Sequence, residues 1–181
     1  MADVPAQDLV FLDETSTQIT MTRRRGRAPR GERLTERVPR NHGDNRTLLA
    51  AIGTDGVKAP LVFPRALDGA VFRQWVSEWL VPQLRPGQIV VQDNLSVHKD
   101  AWARAAIEAA GCRLEFLPTY SPDLNPIELL FAKVKGLVRG AKPRTPAAVD
   151  DAIGAALDRV TSAELTAYYR HCGYAVPGHV P

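Results

Sequence analysis

Cysteine is scarce: Cys112 and Cys172 are the only two in 181 residues, and they lie far apart. That excludes a disulfide framework. With no second ligand pair near His171 and Cys172, it also excludes a zinc pattern. Long apolar runs are missing too, so no transmembrane helix is predicted. The first residues, Met1-Ala-Asp-Val-Pro-Ala-Gln-Asp, lack the charged-then-apolar order of an export signal. A cytoplasmic protein with no membrane attachment is the expectation. Internal repeats, low-complexity tracts and linkers are absent. With 45% hydrophobic and 24% charged residues, the chain has the composition of a globular protein and the length for one sizeable core. One domain is expected over residues 1–175, with a loose tail over residues 176–181.

Neither sign of charge is in large excess: 23 basic residues face 20 acidic ones, for a net charge of +3. The distribution is uneven. Arg23, Arg24, Arg25, Arg27, Arg30, Arg33, Arg37, Arg40 and Arg46 share a stretch whose acids are Glu32, Glu36 and Asp44. A charge run is commonly a solvated segment. Basic clustering is also the footprint of a phosphate-backbone binder, and this cluster is close in sequence to Asp13. Arg23, Arg24, Arg25, Arg27 and Arg30 are therefore the candidate DNA contacts.

Residues 9–14 read as a buried strand. Residues 15–22, rich in β-branched side chains, read as a second strand joined to it by a tight turn. Residues 47–53 and 57–63 flank Asp55-Gly56, a hairpin signal. Residues 70–84 space Val71, Phe72, Trp75, Val76, Trp79 and Leu80 as a helix does. Trp75, Trp79 and Trp102 are expected in the core. Residues 88–93 lack polar alternation, as in a parallel strand buried on both faces. A helix over residues 100–110, ended by Gly111, precedes a strand over residues 113–117. Asn125 suits an N-cap and Pro126 a first helical position. That helix should reach about Arg139 and stop at Gly140. Another should start at Thr145-Pro146, and Ser162 should cap a last one. Residues after Gly173 read as a loose tail. Antiparallel strands followed by βα units predict an α/β fold, a ribonuclease-H-like mixed sheet flanked by helices on both faces.

Three acidic residues stand at candidate metal-binding corners. Asp13 follows Leu9-Val10-Phe11-Leu12, Asp93 follows a second apolar run, and Glu128 opens a helix. Carboxylates are the hard oxygen ligands that Mg²⁺ and Mn²⁺ prefer, and a pair of such ions drives in-line chemistry on a phosphodiester. Plainer roles compete. An Asp often caps a following turn, and Glu128 stands three residues after Asn125, the spacing of a capping box. Glu14 competes with Asp13, because successive strand side chains point to opposite faces; spacing does not choose between them. Asn94 and His98 either orient Asp93, a metal-bound water or a phosphate, or serve as a turn residue and a surface residue. Tyr120 and Ser121 are read as shaping a proline-rich loop.

The segments Val91-Gln-Asp-Asn-Leu-Ser-Val-His-Lys99 and Phe116-Leu-Pro-Thr-Tyr-Ser-Pro-Asp-Leu-Asn-Pro-Ile-Glu-Leu-Leu-Phe-Ala-Lys-Val-Lys135 resemble the DDE transposases of the mariner superfamily, and most of all the bacterial insertion-sequence 630 family. The thirty-four residues between Asp93 and Glu128 fit the family spacing. Leu12-Asp-Glu-Thr15 is similar to its first-aspartate strand. The resemblance covers residues 9–173, and the long tyrosine-to-glutamate segment makes chance matching improbable.

This resemblance implies a catalytic and metal-binding triad of Asp13, Asp93 and Glu128; in the family, as here with Asn94 and His98, the middle aspartate is followed by Asn and then a nearby His. It implies Mg²⁺ or Mn²⁺, two ions in all. The implied activity is cleavage of DNA at transposon ends and strand transfer to target DNA, by a homodimer assembled on DNA. Family members usually carry a helix-turn-helix module before this domain, and the ten or so residues before Asp13 could not form one. The chain is thus expected to be the catalytic half, completed by a helix-turn-helix partner or a frameshift-fused upstream module. Two rival readings are a ribonuclease-H-like nuclease without joining activity and an inactive remnant or subunit.

Overall fold

The structure is a computed structural model that describes residues 4–41, 43 and 45–176. Five strands form one sheet in the order β3-β2-β1-β4-β5. They are β1 (Leu9–Thr17), β2 (Arg46–Gly53), β3 (Gly56–Phe63), β4 (Ile89–Gln92) and β5 (Arg113–Phe116). The first three pair antiparallel, whereas β4 runs parallel to both β1 and β5. The parallel strand β4 is buried along its whole length, as its apolar run predicts.

The expected turn after residue 14 does not form. Residues 9–17 are one strand, and Asp13 through Thr17 pair with β2 from Ala50 back to Arg46. The β-branched threonines extend β1 because β2 offers that length a continuous ladder. A non-helical connection then leads to β2.

Strand alternation divides the core into two layers. Leu9 and Phe11 of β1, with Leu48, Ala50 and Ile52 of β2, face α3 (Pro126–Ala141), α4 (Pro146–Leu157) and α5 (Ser162–His171). Val10 and Leu12, with Leu49 and Ala51, face α1 (Gly69–Trp75) and α2 (Ala101–Ala109). The Tyr169 hydroxyl lies 2.9 Å from the Leu9 carbonyl and 2.8 Å from that of Ile52, tying α5 to two strands.

Several helix boundaries depart from the sequence reading. The first helix becomes a π-helical turn over Val76–Leu80 and a 3-10 turn over Val81–Gln83. The wider turn keeps Trp75, Val76 and Leu80 inside but turns Trp79 out, leaving it 44% exposed. Trp102, in the first turn of α2, is 51% exposed. Of the three tryptophans only Trp75 is core, its indole N–H donating to the Ala59 carbonyl at 2.7 Å. Helix α3 passes through Gly140 and ends where Lys142 turns left-handed (φ 54°) before Pro143; the residue preceding a proline is disfavoured in a helix. The last helix is capped by Thr161, whose hydroxyl and Glu164 form a capping box, so Ser162 is its first residue. Nor is the chain loose directly after Gly173. Tyr174 is buried and donates to the Leu124 carbonyl at 2.7 Å, and Ala6 N–H donates to Ala175. Residues 177–181, most of the expected tail, lie outside the described residues.

Candidate active site

The parallel pairing of β1 and β4 ends at Phe11 and Val91. Two residues beyond that last pair stand Asp13, still within β1, and Asp93, the first residue after β4. Adjacent strands are about 4.8 Å apart, so the topology places these carboxylates side by side. Asp13 does not end its strand; it stands where β1 loses its β4 neighbour and keeps only β2. Ligand sites in open α/β sheets form at such carboxyl ends of parallel strands.

The choice between Asp13 and Glu14 follows from alternation. Asp13 shares the face of Leu9 and Phe11, the side of α3, and Glu14 turns to the other. On its own side Asp13 accepts a 2.9 Å hydrogen bond from Asn125 Nδ2. Asn125 therefore precedes α3 without capping it: its side chain makes no cap hydrogen bond, and it does not form a capping box with Glu128. That frees the Glu128 side chain to line a cavity of about 400 Å³ with Asp13, Asp93, Asn94, Tyr120 and Asn125.

Burial pushes the Asp13 carboxyl up to about 7, and the charges of Glu14 and Asp93 add to the rise against the opposing Glu14 N–H. An anion here lacks sufficient compensation from protein groups. Asn125 Oδ1 is buried beside it with no hydrogen-bond partner among the described residues. A short-range concentration of carboxylate oxygens that disfavours its own ionisation fits a divalent cation, whose charge would reverse that penalty.

His98 is fully buried, with Nδ1 2.5 Å from Asp93 Oδ1 and Nε2 3.1 Å from Glu14 Oε2. Burial alone would lower its pKa, but the hydrogen bonds and charges of the two carboxylates raise it to about 9. The hydrogen bond from His98 in turn holds Asp93 below the usual carboxylate range. His98 is accordingly no surface residue but a cationic strut between Asp93 and Glu14. Asp13, Glu14 and His98 offer ligand atoms within 4.8 Å of one another. Both His98 nitrogens are engaged by carboxylates, however, so the imidazole lacks a free lone pair for an ion. Asp13, Asp93 and Glu128 form no such tight trio; they converge on the cavity at wider spacing. Asn94 Nδ2 donates to the Leu117 carbonyl at 2.6 Å, fastening the chain after β4 to the chain after β5.

The sequence reading missed two participants. Asn125 looked like a cap, but its side chain leaves the N–H groups of Ile127 and Glu128 and turns to Asp13 instead. Lys135 lies two turns beyond Glu128 on the same face of α3. Burial lowers its pKa, while the nearby carboxylates of Glu128 and Asp13 pull it back up. The arginines of residues 23–30 are all exposed. Arg23 reaches the Gly140 carbonyl at 3.5 Å, at the far end of α3. Arg46 leaves this patch and pairs with Asp150, bridging β2 to α4.

Sheet order, the helices on both faces and a carboxylate-lined cavity where β1 and β4 part define a ribonuclease-H-like domain. The chain belongs to the DDE superfamily endonucleases, whose family model matches residues 8–148 and so spans all three acids. Its fold is similar to that of the Mos1 strand transfer complex (TM-score 0.71, 19% identity, covering 92% of this chain and 51% of that one). It is also similar to the mariner Mos1 paired end complex with Mg (0.67, 19%, 91% and 53%). The catalytic domain of Mos1 mariner transposase is a third likeness (0.61, 16%, 92% and 76%). The chain spans about half the length of the first of these. Among curated proteins, no sequence matches it. No helix among the described residues is long and apolar enough to cross a membrane.

Proposed function

We propose that the chain is the catalytic domain of a transposase of the insertion-sequence 630 type, cutting DNA at element ends and joining those ends to target DNA. The observation that carries this reading is the convergence of Asp13, Asp93 and Glu128, from β1, the end of β4 and the start of α3, on one cavity. These three would hold two Mg²⁺ or Mn²⁺ ions, which supply an activated attacking hydroxyl and a stabilised leaving oxygen. His98 fixes one oxygen of Asp93 and leaves the other for the cavity. Asn125 aims Asp13 by donating to one of its oxygens, while the Glu14 N–H holds the other.

DNA phosphates find cations along α3. Glu128, Lys135 and Arg139 follow one helix face, and Arg23 meets the end of that helix at Gly140. From Glu128 to Gly140 is about 18 Å at 1.5 Å per residue, or about five base pairs at 3.4 Å each. Arg24, Arg25, Arg27 and Arg30 extend this track. The known complexes with paired ends support a dimer on DNA, and a helix-turn-helix module or partner would supply recognition of the element ends. A bacterial, cytoplasmic setting accompanies this reading.

The test is a supercoiled plasmid incubated with the protein and Mg²⁺ or Mn²⁺. Nicking and strand-transfer products are expected, and Asp93→Asn or Glu128→Gln should abolish both while the fold persists. Cleavage that survives Asp93→Asn removes this residue from the reaction, and cleavage without joined products reduces the activity to that of a nuclease.

A further inference from the structure

We infer that Tyr120 is a stacking platform, holding an unpaired DNA base beside the phosphodiester at the carboxylates. This rests on the DNA-cleaving reading of the cavity. Tyr120 is 98% exposed, far more than Trp79 or Trp102, and its ring covers nothing in the protein. Its φ of 58° places it in the left-handed region that a bulky side chain avoids. A loop built only to connect β5 to α3 would place glycine or asparagine there. Strained backbone that persists at a site edge is a pointer to function.

The loop is held at both ends. Asn94 fastens Leu117, and Tyr174 fastens Leu124. Pro118 and Pro122 restrict the backbone on either side of Tyr120. The ring is thus presented on a constrained arm at the rim of the cavity that Asp13, Asp93 and Glu128 line. Leu95, 43% exposed, lines the same cavity from the β4 side. Two projecting apolar groups flank an acidic centre. A phosphate would need donors there. A base displaced from its stack offers a flat apolar face, which an aromatic ring binds whatever the sequence.

The test measures binding of the full chain to a labelled perfect duplex and to the same duplex with a short mismatched bubble, in Ca²⁺. Tyr120→Ala should weaken bubble binding by about five- to 150-fold, the range of one base–aromatic stack, and leave duplex binding within twofold. Tyr120→Phe and Tyr120→Trp should bind the bubble as the wild type does. Tyr120→Gly relieves the left-handed backbone. It should melt no lower than the wild type yet bind the bubble as poorly as Tyr120→Ala, which separates loss of the ring from damage to the loop. Bubble affinity unchanged in Tyr120→Ala, or lost equally in Tyr120→Phe, overturns the inference. Mn²⁺-dependent cleavage by the wild type and its loss in Asp93→Asn report separately on the reading beneath it.

Discussion

Asp13→Asn should make the metal-free protein more stable while removing its response to metal. The buried Asp13 carboxyl titrates near 7 in the fold against an ordinary 3.8. Each tenfold of acidity is worth about 1.4 kcal/mol, so holding the anion at neutral pH costs the fold about 4 kcal/mol. Asparagine removes that cost. It can still accept from Asn125 through one oxygen, but the Glu14 N–H then meets an amide N–H, and losing that hydrogen bond costs about 1 kcal/mol. The net gain at pH 7 is about 3 kcal/mol, or roughly 6–12 °C in Tm for a chain of this size.

The sign of the pH dependence follows from linkage. Between pH 3.8 and 7 the unfolded chain has lost the Asp13 proton and the folded chain retains it. Folding therefore takes up a proton in that window, and stability falls as pH rises. From pH 5 to pH 7 the wild type should lose about 2–3 kcal/mol through this group, and the variant should not. The assay is urea unfolding in EDTA at the two pH values, repeated with Mg²⁺ or Mn²⁺. At ten times its Kd a metal bound to the native state adds about 1.4 kcal/mol; the wild type should show that gain and Asp13→Asn should lose it. A variant less stable than the wild type at pH 7, or one that keeps the wild-type pH slope, refutes the reasoning.

His98→Ala should cost about 3 kcal/mol at pH 6, the lower range for breaking a buried ion pair, since solvent reaches Asp93 and weakens its share. The raised His98 pKa makes its charge-dependent contribution complete below about 6.5 and lost as pH climbs through about 9, so the gap between wild type and variant in urea unfolding should narrow by pH 10 to the cost of the cavity left by the buried ring. Glu14→Gln should lower Mn²⁺-dependent nicking without abolishing it, because Glu14 stands beside Asp13 and braces His98 but does not line the cavity; a loss as complete as that of Asp93→Asn makes Glu14 a ligand. Replacing Arg23, Arg24 and Arg25 with Ala should weaken binding to all DNA sequences and flatten the salt dependence by about 0.9 for each phosphate no longer neutralised; unchanged slopes would mean that these arginines do not touch DNA. Tyr169→Phe should cost about 1–2 kcal/mol in urea unfolding, leaving the Leu9 and Ile52 carbonyls short of a donor in the core.

The parts of this molecule readable from sequence are those in which one local signal and the tertiary fold agree. The unbroken apolar run of β4, the Asp55-Gly56 hairpin and the Pro126 helix start each satisfy a local rule that packing then reinforces. Errors arose where a local rule met a tertiary competitor. Thr15 and Thr17 looked like a returning strand, but β2 offered a ladder long enough to keep β1 straight. Ser162 was a plausible cap, but only Thr161 had Glu164 at the spacing that closes the box. The Asn125–Glu128 pair is the instructive case, for it too has capping-box spacing. Asn125 instead crosses to Asp13, a residue 112 positions earlier, and no one-dimensional pattern encodes that contact. The side choice between Asp13 and Glu14 was likewise hidden until the register of β1 against α3 was known. Where a good cap abandons its own helix to hold a buried carboxylate, local consistency has been given up at a functional position. That departure, more than the three acids themselves, distinguishes this end of the sheet as a site rather than a set of turns.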